Sequence, residues 1–415
     1  MNPTIKARIE SIRRGGVPEG YKRTKIGIVP KEWKVESLKC HLIEYRHLSN
    51  DIDKFDIYSS SRNGLMLQSA YYSQKTATQT NLGYKTVPNG YVTYRHMSDD
   101  DIFHFNINRQ NKTILVSAEY PVFDTDDQTN TYFLITYLNS MARFRYFCRG
   151  QKMGGTRTRL YFNVLGDFKL AFPSISEQEK IAEILAGQDR VIALKEKLLA
   201  EKQKQKKYLM QQLLTGKKRL PGFSGEWKKV RMGAYVNFQV GYPFSSLYFN
   251  EEGKGLRLIK NRDLKTDDQI YYTTEHYSQD FVVNNGDVLI GMDGDFLPSV
   301  WNKGRALLNQ RVGKIFVASG MDLMFSYYCL HIPLEKLSNK IGATTVKHLA
   351  HKDVENLFVF IPIEKPEQTA IAEILSTADK EIELLKKDIE QEKLKKKSLM
   401  QLLLTGIVRV DELVS

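Results

Sequence analysis

Cysteine is scarce: Cys40, Cys148 and Cys329 are the only thiols in 415 residues. Three scattered thiols are too few for a disulfide framework or a thiolate metal site. No apolar run approaches the ~18 residues that a membrane helix needs, and Met1 to Gly20 holds no apolar stretch of the secretory kind. The expected setting is the reducing cytoplasm. Several signatures of catalysis are also missing. No G-x-x-x-x-G-K-[ST] loop is present to cradle a nucleoside triphosphate, and no G-x-G-x-x-G follows a strand pattern. The absence of Pro-Pro and Pro-Asp removes the Asn/Asp-Pro-Pro-aromatic signature of amino-methyltransferases and the usual opening of a PD-(D/E)xK nuclease. Glu252-Gly253-Lys254 lacks an acidic partner at useful spacing and reads as a surface turn. Asp293-Gly294-Asp295 lacks the remaining oxygen ligands of a calcium loop and reads as the turn after a strand. His348 and His351 are spaced for one helical face, but no Glu or third His accompanies them, so no metal is expected.

What the chain has is length, basic charge and repetition. Its 415 residues exceed the size at which one core stops growing, so two or more domains are expected. Composition is that of a globular protein, 42% apolar and 26% charged. Sixty-one Lys and Arg against 48 Asp and Glu leave +13, which suits a polyanionic partner. The charge is uneven: +9 over residues 1–172, +5 over 173–220, +1 over 221–361 and −2 over 362–415. If the polyanion is DNA, the first half dominates its salt-dependent grip.

Residues 177–219 align without gaps onto 367–409 at a constant offset of 190, with 21 of the 43 positions identical. The shared start is Ile181-Ala182-Glu183-Ile184-Leu185 with Ile371-Ala372-Glu373-Ile374-Leu375. The shared end is Leu213-Leu214-Thr215-Gly216 with Leu403-Leu404-Thr405-Gly406. Weaker echoes lie upstream: Glu32-Trp33-Lys34 with Glu226-Trp227-Lys228, and Val87, Asn89, Gly90 and Val92 with Val283, Asn285, Gly286 and Val288. The chain is a duplication. Each half is a variable unit of roughly 140–150 residues followed by a similar helix.

Each repeated segment reads as one long helix. Ile181, Leu185, Ile192, Leu199, Leu209 and Leu213, matched by Ile371, Leu375, Ile382, Ile389, Leu399 and Leu403, step by fours and threes as a coiled-coil seam. Ser176 with Glu179 suggests a capping box, Pro366 suits a first helical turn, and Gly216 and Gly406 suit left-handed C-terminal caps. Two like seams in one chain pack most simply on each other, antiparallel. The alternative is that each helix packs separately, on its own domain or on another chain. The runs Lys202, Lys204, Lys206, Lys207 and Lys393, Lys395, Lys396, Lys397 read as solvated helix backs. The variable units read as mixed α/β, with strands expected at 90–97, 112–117, 286–292 and 356–362.

This layout resembles the specificity subunit of type I restriction-modification systems, from about Gly20 to the C-terminus. The resemblance rests on Pro173 to Glu177-Gln178 and Pro362 to Glu367-Gln368, each followed by Ile-Ala-Glu-Ile-Leu, and on the exits Leu-Met-Gln-x-Leu-Leu-Thr-Gly. Gly20-Tyr21-Lys22 through Pro30 to Trp33, and Leu220-Pro221-Gly222-Phe223 to Trp227, resemble the family's domain openings. The resemblance implies an α+β fold: two mixed α/β target recognition domains separated by two long antiparallel helices that form an intramolecular coiled coil, with an internal pseudo-twofold duplication. The implied parts are an N-terminal extension (1–19), a first recognition domain (20–172), a central repeated helix (173–219), a second recognition domain (220–361) and a C-terminal repeated helix (362–415).

It further implies a noncatalytic DNA-reading subunit. Each recognition domain would read half of a bipartite site, with half-sites about 10 bp apart, and the helix pair would set the spacer. Partners would be double-stranded DNA, two methyltransferase subunits and endonuclease/translocase subunits. S-adenosylmethionine, ATP and magnesium would belong to those partners and none to this chain. Arg and Lys suit guanine, and Asn and Gln suit adenine, in the major groove. The expected DNA-contacting residues are therefore Ser60, Arg62, Asn63, Tyr94, Arg95, Gln128, Asn130, Arg157 and Arg159 in the first domain. In the second they are Tyr242, Lys260, Asn261, Arg262, Asn309, Gln310, Arg311 and Lys347. Three alternatives stay open: a methylation-only or other-type restriction system, a stand-alone DNA-binding regulator, and a scaffold without sequence preference.

Overall fold

The computed structural model describes residues 3–68, 83–152, 156–340 and 348–414. Nine helices lie among them: α1 (Pro3–Arg13), α2 (Thr131–Ser140), α3 (Ala142–Arg149), α4 (Phe162–Gly166), α5 (Ile175–Leu213), α6 (Leu323–Lys340), α7 (His351–Glu355), α8 (Lys365–Leu403) and α9 (Asp411–Val414). The chain divides into two units, Met1–Leu194 with Ile389–Ser415, and Lys195–Asp388. The division falls inside the long helices α5 and α8.

In the first unit a four-stranded antiparallel sheet runs in the order Phe105–Ile107, Val92–Tyr94, Val122–Thr125, Leu42–Glu44. Its central strand is buried on both faces, as its β-branched and aromatic content allows. A second sheet pairs Ile114–Ser117, Tyr84–Val87 and Leu48–Ser49. The apolar helix α2 packs over the core with Phe133, Leu134 and Leu138 inside. Its first turn is capped by Asn130, whose Oδ1 accepts from the Phe133 N–H at 3.0 Å.

The second unit repeats this plan with different residues. Its four-stranded sheet runs Val236–Val240, Val312–Val317, Val288–Gly291, Pro298–Val300, and α6 covers the core with Phe325, Tyr328 and Leu330. The four expected strands are present as Val92–Tyr94, Ile114–Ser117, Val288–Gly291 and Phe358–Pro362. Among the described residues no helix is long and apolar enough to cross a membrane.

The expected seam forms within each unit. In the first, Ile181, Ala182 and Leu185 at the start of α5 share a core with Leu403 and Leu404 at the end of α8. In the second, Leu213 and Leu214 at the end of α5 share one with Ile371, Ala372 and Leu375 at the start of α8. Start against end means antiparallel pairing. Ile192, Ile382 and Ile389 are buried in the seam, and Leu199, Leu209 and Leu399 are half-buried. At 39 residues each, the helices run roughly 58 Å.

Charge pairing reinforces the seam and corrects the reading of the lysine runs. Lys396 pairs with Asp189 in the first unit, and Lys206 with Asp379 in the second; the two pairs are equivalent at the offset of 190. Asp189 and Asp379 also accept from the hydroxyls of Tyr132 and Tyr328, at 2.6 and 2.7 Å. Lys206 and Lys396 are therefore mostly buried rather than solvated, because an opposing carboxylate lies within reach of each.

The helix ends carry a repeated joint. Gln178 accepts from the Asn130 N–H at 2.9 Å and donates to the carbonyls of Gln128 and Pro173 at 3.0 and 3.1 Å. Gln368 accepts from the Asp322 N–H at 2.9 Å and donates to those of Gly320 and Pro362 at 3.2 and 2.9 Å. Glu177 is held by Arg409 and the Trp33 indole, and Glu367 by Arg219 and the Trp227 indole. Gly216 and Gly406 both sit at φ 68°, the left-handed caps expected of them. One cap differs. α5 begins at Ile175, and the Ser174 hydroxyl accepts from the Glu177 N–H, so Ser174 rather than Ser176 opens the helix. Glu179 then lies too far along to close a capping box.

Candidate functional site

In the first unit a cleft of 430 Å³ opens beside the central sheet, lined among others by Ser60, Arg62, Asn63, Arg95, Asp99 and His104. Four of the residues expected to meet DNA thus share one cleft. Its rim is the turn Asp99-Asp100-Asp101, and each carboxylate has a guanidinium beside it. Asp99 accepts from Arg157 at 2.8 Å, Asp100 from Arg62, and Asp101 lies 3.7 Å from Arg149. Arg159 joins them through the strand register Met97↔Arg159. The Arg62 guanidinium holds the Asp100 carboxyl down to about 2, so the pair stays charged at any working pH. Burial and then the neighbouring Arg62 charge lower the His104 pKa, keeping that ring neutral near pH 7. The cleft is thus a basic surface threaded with carboxylates.

The second unit has the equivalent turn. Leu160 N–H donates to the His96 carbonyl at 2.8 Å, and Leu349 N–H to the Met292 carbonyl at 2.8 Å, so the backbone frames match. The pairing Met97↔Arg159 recurs as a bridge between Asp293 and His348. Asp293 Oδ1 accepts from Arg311 at 3.4 Å and lies 3.3 Å from His348 Nδ1, and its carbonyl accepts from Asn261 at 3.0 Å. Asp295 pairs with Lys265 at 2.6 Å. Asp293-Gly294-Asp295 is therefore the expected turn, with its carboxylates facing basic side chains. Beside it, Lys260 sits 3.1 Å from the Tyr271 ring centroid and Arg262 at 5.5 Å, and Arg262 donates to Gln269. Partial burial, then the nearby Arg262 charge, pulls the Lys260 pKa down.

Several expected contacts have other roles. Tyr94 is fully buried, its ring 4.5 Å from that of Phe105 and its hydroxyl donating to Leu160, so it belongs to the core. Ser60 lines the cleft, but its hydroxyl is buried and accepts from Asn106. Asn130 caps α2, and the Gln128 carbonyl belongs to the Gln178 joint; neither lines the cleft. In the second unit Asn309 is buried and accepts from the Gln310 N–H, whereas Tyr242 packs edge-on to Phe244 and stays exposed. Gln310 is exposed next to Arg311. Lys347 lies outside the described residues. The sequence reading missed Asp99, Asp100, Asp101, Arg149, Lys265 and the Asp293–His348 pair, whose partners are distant in sequence.

Comparison with known proteins follows the same outline. Residues 44–204 and 224–393 each match the type I restriction modification DNA specificity domain. The MjaX specificity subunit of a type I restriction enzyme from Methanocaldococcus jannaschii is 25% identical over 437 aligned positions, covering 94% of this chain and 97% of that protein. The EcoBI specificity subunit from Escherichia coli is 33% identical over 187 residues, 45% of this chain and 38% of that protein. Among solved structures, a type I restriction-modification S subunit from M. genitalium gives a TM-score of 0.59 at 13% identity, covering 89% of this chain and 96% of that one. A chain solved in the context of complex assembly and conformational transition of the type I R-M system gives 0.52 at 18% identity, covering 92% and 99%.

Proposed function

Because the chain belongs to the type I restriction-modification DNA specificity family, we propose that each of its two units reads one half of a bipartite DNA site, with the paired helices setting the spacer. It is the sequence-recognition subunit of such a system and has no catalytic role of its own. The observation that carries the bipartite reading is the recurrence of one recognition turn, at matching positions of a duplicated fold, with different side chains around it. Equivalent frames with unlike surfaces suit two unlike half-sites.

DNA and the other subunits of the system are its partners. We assign to those subunits the methyltransferase and the ATP-dependent endonuclease/translocase, together with the S-adenosylmethionine, ATP and magnesium that their chemistry needs. The exposed Leu194 and Leu384, equivalent at the offset of 190, give both helices an apolar contact for a methyltransferase subunit. The reducing thiols and the basic charge suit the cytoplasm. Selection of the full-length chain against random duplexes tests the reading. Two fixed base clusters separated by a constant gap support it, and a single contiguous motif or none refutes it.

A further inference from the structure

We propose that Asp100 and Asp293 are specificity-determining positioning residues, each presenting one arginine, Arg62 or Arg311, to the edge of a guanine in its half-site. This rests on the DNA-recognition reading and adds to it the residues that orient the readers and the base they select.

Stability does not explain these ion pairs. Arg62 and Asp100 are 58% and 46% exposed, and Arg311 and Asp293 are 54% and 34% exposed. Solvated pairs of this kind contribute little to folding. Yet each unit sets an aspartate of this turn against an arginine brought from another element, although the two pairs stand at different register positions, Asp293 at that of Met97. The backbone is also costly there. Among the described residues only Asp101, Asn111 and Phe296 adopt positive φ without being glycine, at 63°, 55° and 56°. Asp101 lies in the first turn and Phe296 directly follows the second. Positive φ at these two positions marks backbone that each domain holds at some cost.

The carboxylates also decide between backbone and base. A phosphate contact draws its affinity from uncompensated positive charge and counterion release. An aspartate beside the arginine cancels that charge and repels the phosphates, so an Asp-held arginine is a poor backbone contact. Guanine asks for something else: two parallel donors to O6 and N7, in a fixed orientation. A guanidinium has five donors, so one carboxylate fixes its plane and leaves donors for the base. Asp100 takes Nη2 of Arg62. Asp293 Oδ1 and His348 Nδ1 both meet Nη1 of Arg311, at 3.4 and 3.1 Å. An arginine held before DNA arrives loses less freedom on binding. Each half-site therefore contains at least one guanine.

The test is random-duplex selection with the full-length chain, comparing wild type with Asp100→Asn, Arg62→Ala, the double variant, Asp293→Asn and Arg311→Ala. Arg62→Ala abolishes a guanine preference at one position. Asp100→Asn weakens the same preference about tenfold, within the range of a bidentate contact, and leaves the other half-site unchanged. Because the aspartate acts through the arginine, adding Asp100→Asn to Arg62→Ala changes nothing further. Asp293→Asn and Arg311→Ala behave alike in the opposite half-site. If Asp100→Asn instead strengthens binding to all sequences equally, the carboxylate merely screens a phosphate contact and the inference fails. Independent, additive effects of Asp100→Asn and Arg62→Ala also overturn it. A wild-type chain that selects no motif refutes DNA recognition itself, whereas a motif that the aspartate variants leave intact removes only this inference.

Discussion

Gln368 offers a direct energetic test of the duplicated joint. Its side chain is fully buried and makes three hydrogen bonds to the backbone, at Asp322, Gly320 and Pro362. Gln368→Met keeps the volume and removes all three. Each such bond contributes about 1 kcal/mol net, and a buried group left unsatisfied costs about 1–3 kcal/mol. Methionine recovers part of this through apolar burial, so the expected loss is about 3 kcal/mol. For a unit of this size that corresponds to a fall of roughly 6–12 °C in Tm. Gln178→Met, its twin, makes the same loss in the other unit. Thermal melting followed by circular dichroism, with hydrogen exchange to locate the weakened unit, reads both. A fall below about 2 °C would show that the joint is not what fastens these helices to their domains.

His331 predicts an acid-sensitive second unit. Its Nε2 is buried without a hydrogen-bond partner among the described residues, and burial, then Lys206, pushes its pKa down from 6.5 to about 4. The folded state keeps the ring neutral while the unfolded chain takes up a proton, so stability rises with pH between about 4 and 6.5. His331→Ile flattens that dependence by up to roughly 3 kcal/mol at pH 4. An unchanged pH profile of urea unfolding would contradict the assignment. The helix pair predicts the spacer. Four residues inserted after Lys204, with four opposite them in α8 beside Asp379, add about 6 Å, close to two base pairs. Selected half-sites keep their bases and move apart; an unchanged gap would refute the ruler.

The long helices were legible in the sequence because a duplication samples one physical constraint twice. Apolar steps of four and three at matched positions, and glycines at both exits, leave few other structures. The Glu177-Gln178 and Glu367-Gln368 pairs were legible as a motif, though not as a joint, since apart from Pro173 and Pro362 their partners lie 46 to 232 residues away. Ser176 was misread as the cap because Ser174 stands two residues earlier with the same chemistry. Tyr94-Arg95 shows why the recognition surface was harder. Successive strand side chains face opposite ways, so if Arg95 lines the cleft then Tyr94 faces the core. Composition registers both residues and not their faces. Asn130 precedes an apolar helix, which is the signature of an N-cap, yet an amide also suits adenine. Arg62, Arg95, Arg157, Arg159 and Arg311 were anticipated as basic groups, but the aspartates that hold three of them are joined only by the tertiary fold.

The most direct test of sequence recognition is genome-wide DNA methylation in the source strain, with and without this gene. The account predicts a bipartite motif, two short base clusters separated by a fixed gap, whose methylation disappears on deletion and returns with the intact gene. A methylome identical in both strains, with the protein expressed and the methyltransferase present, would contradict it.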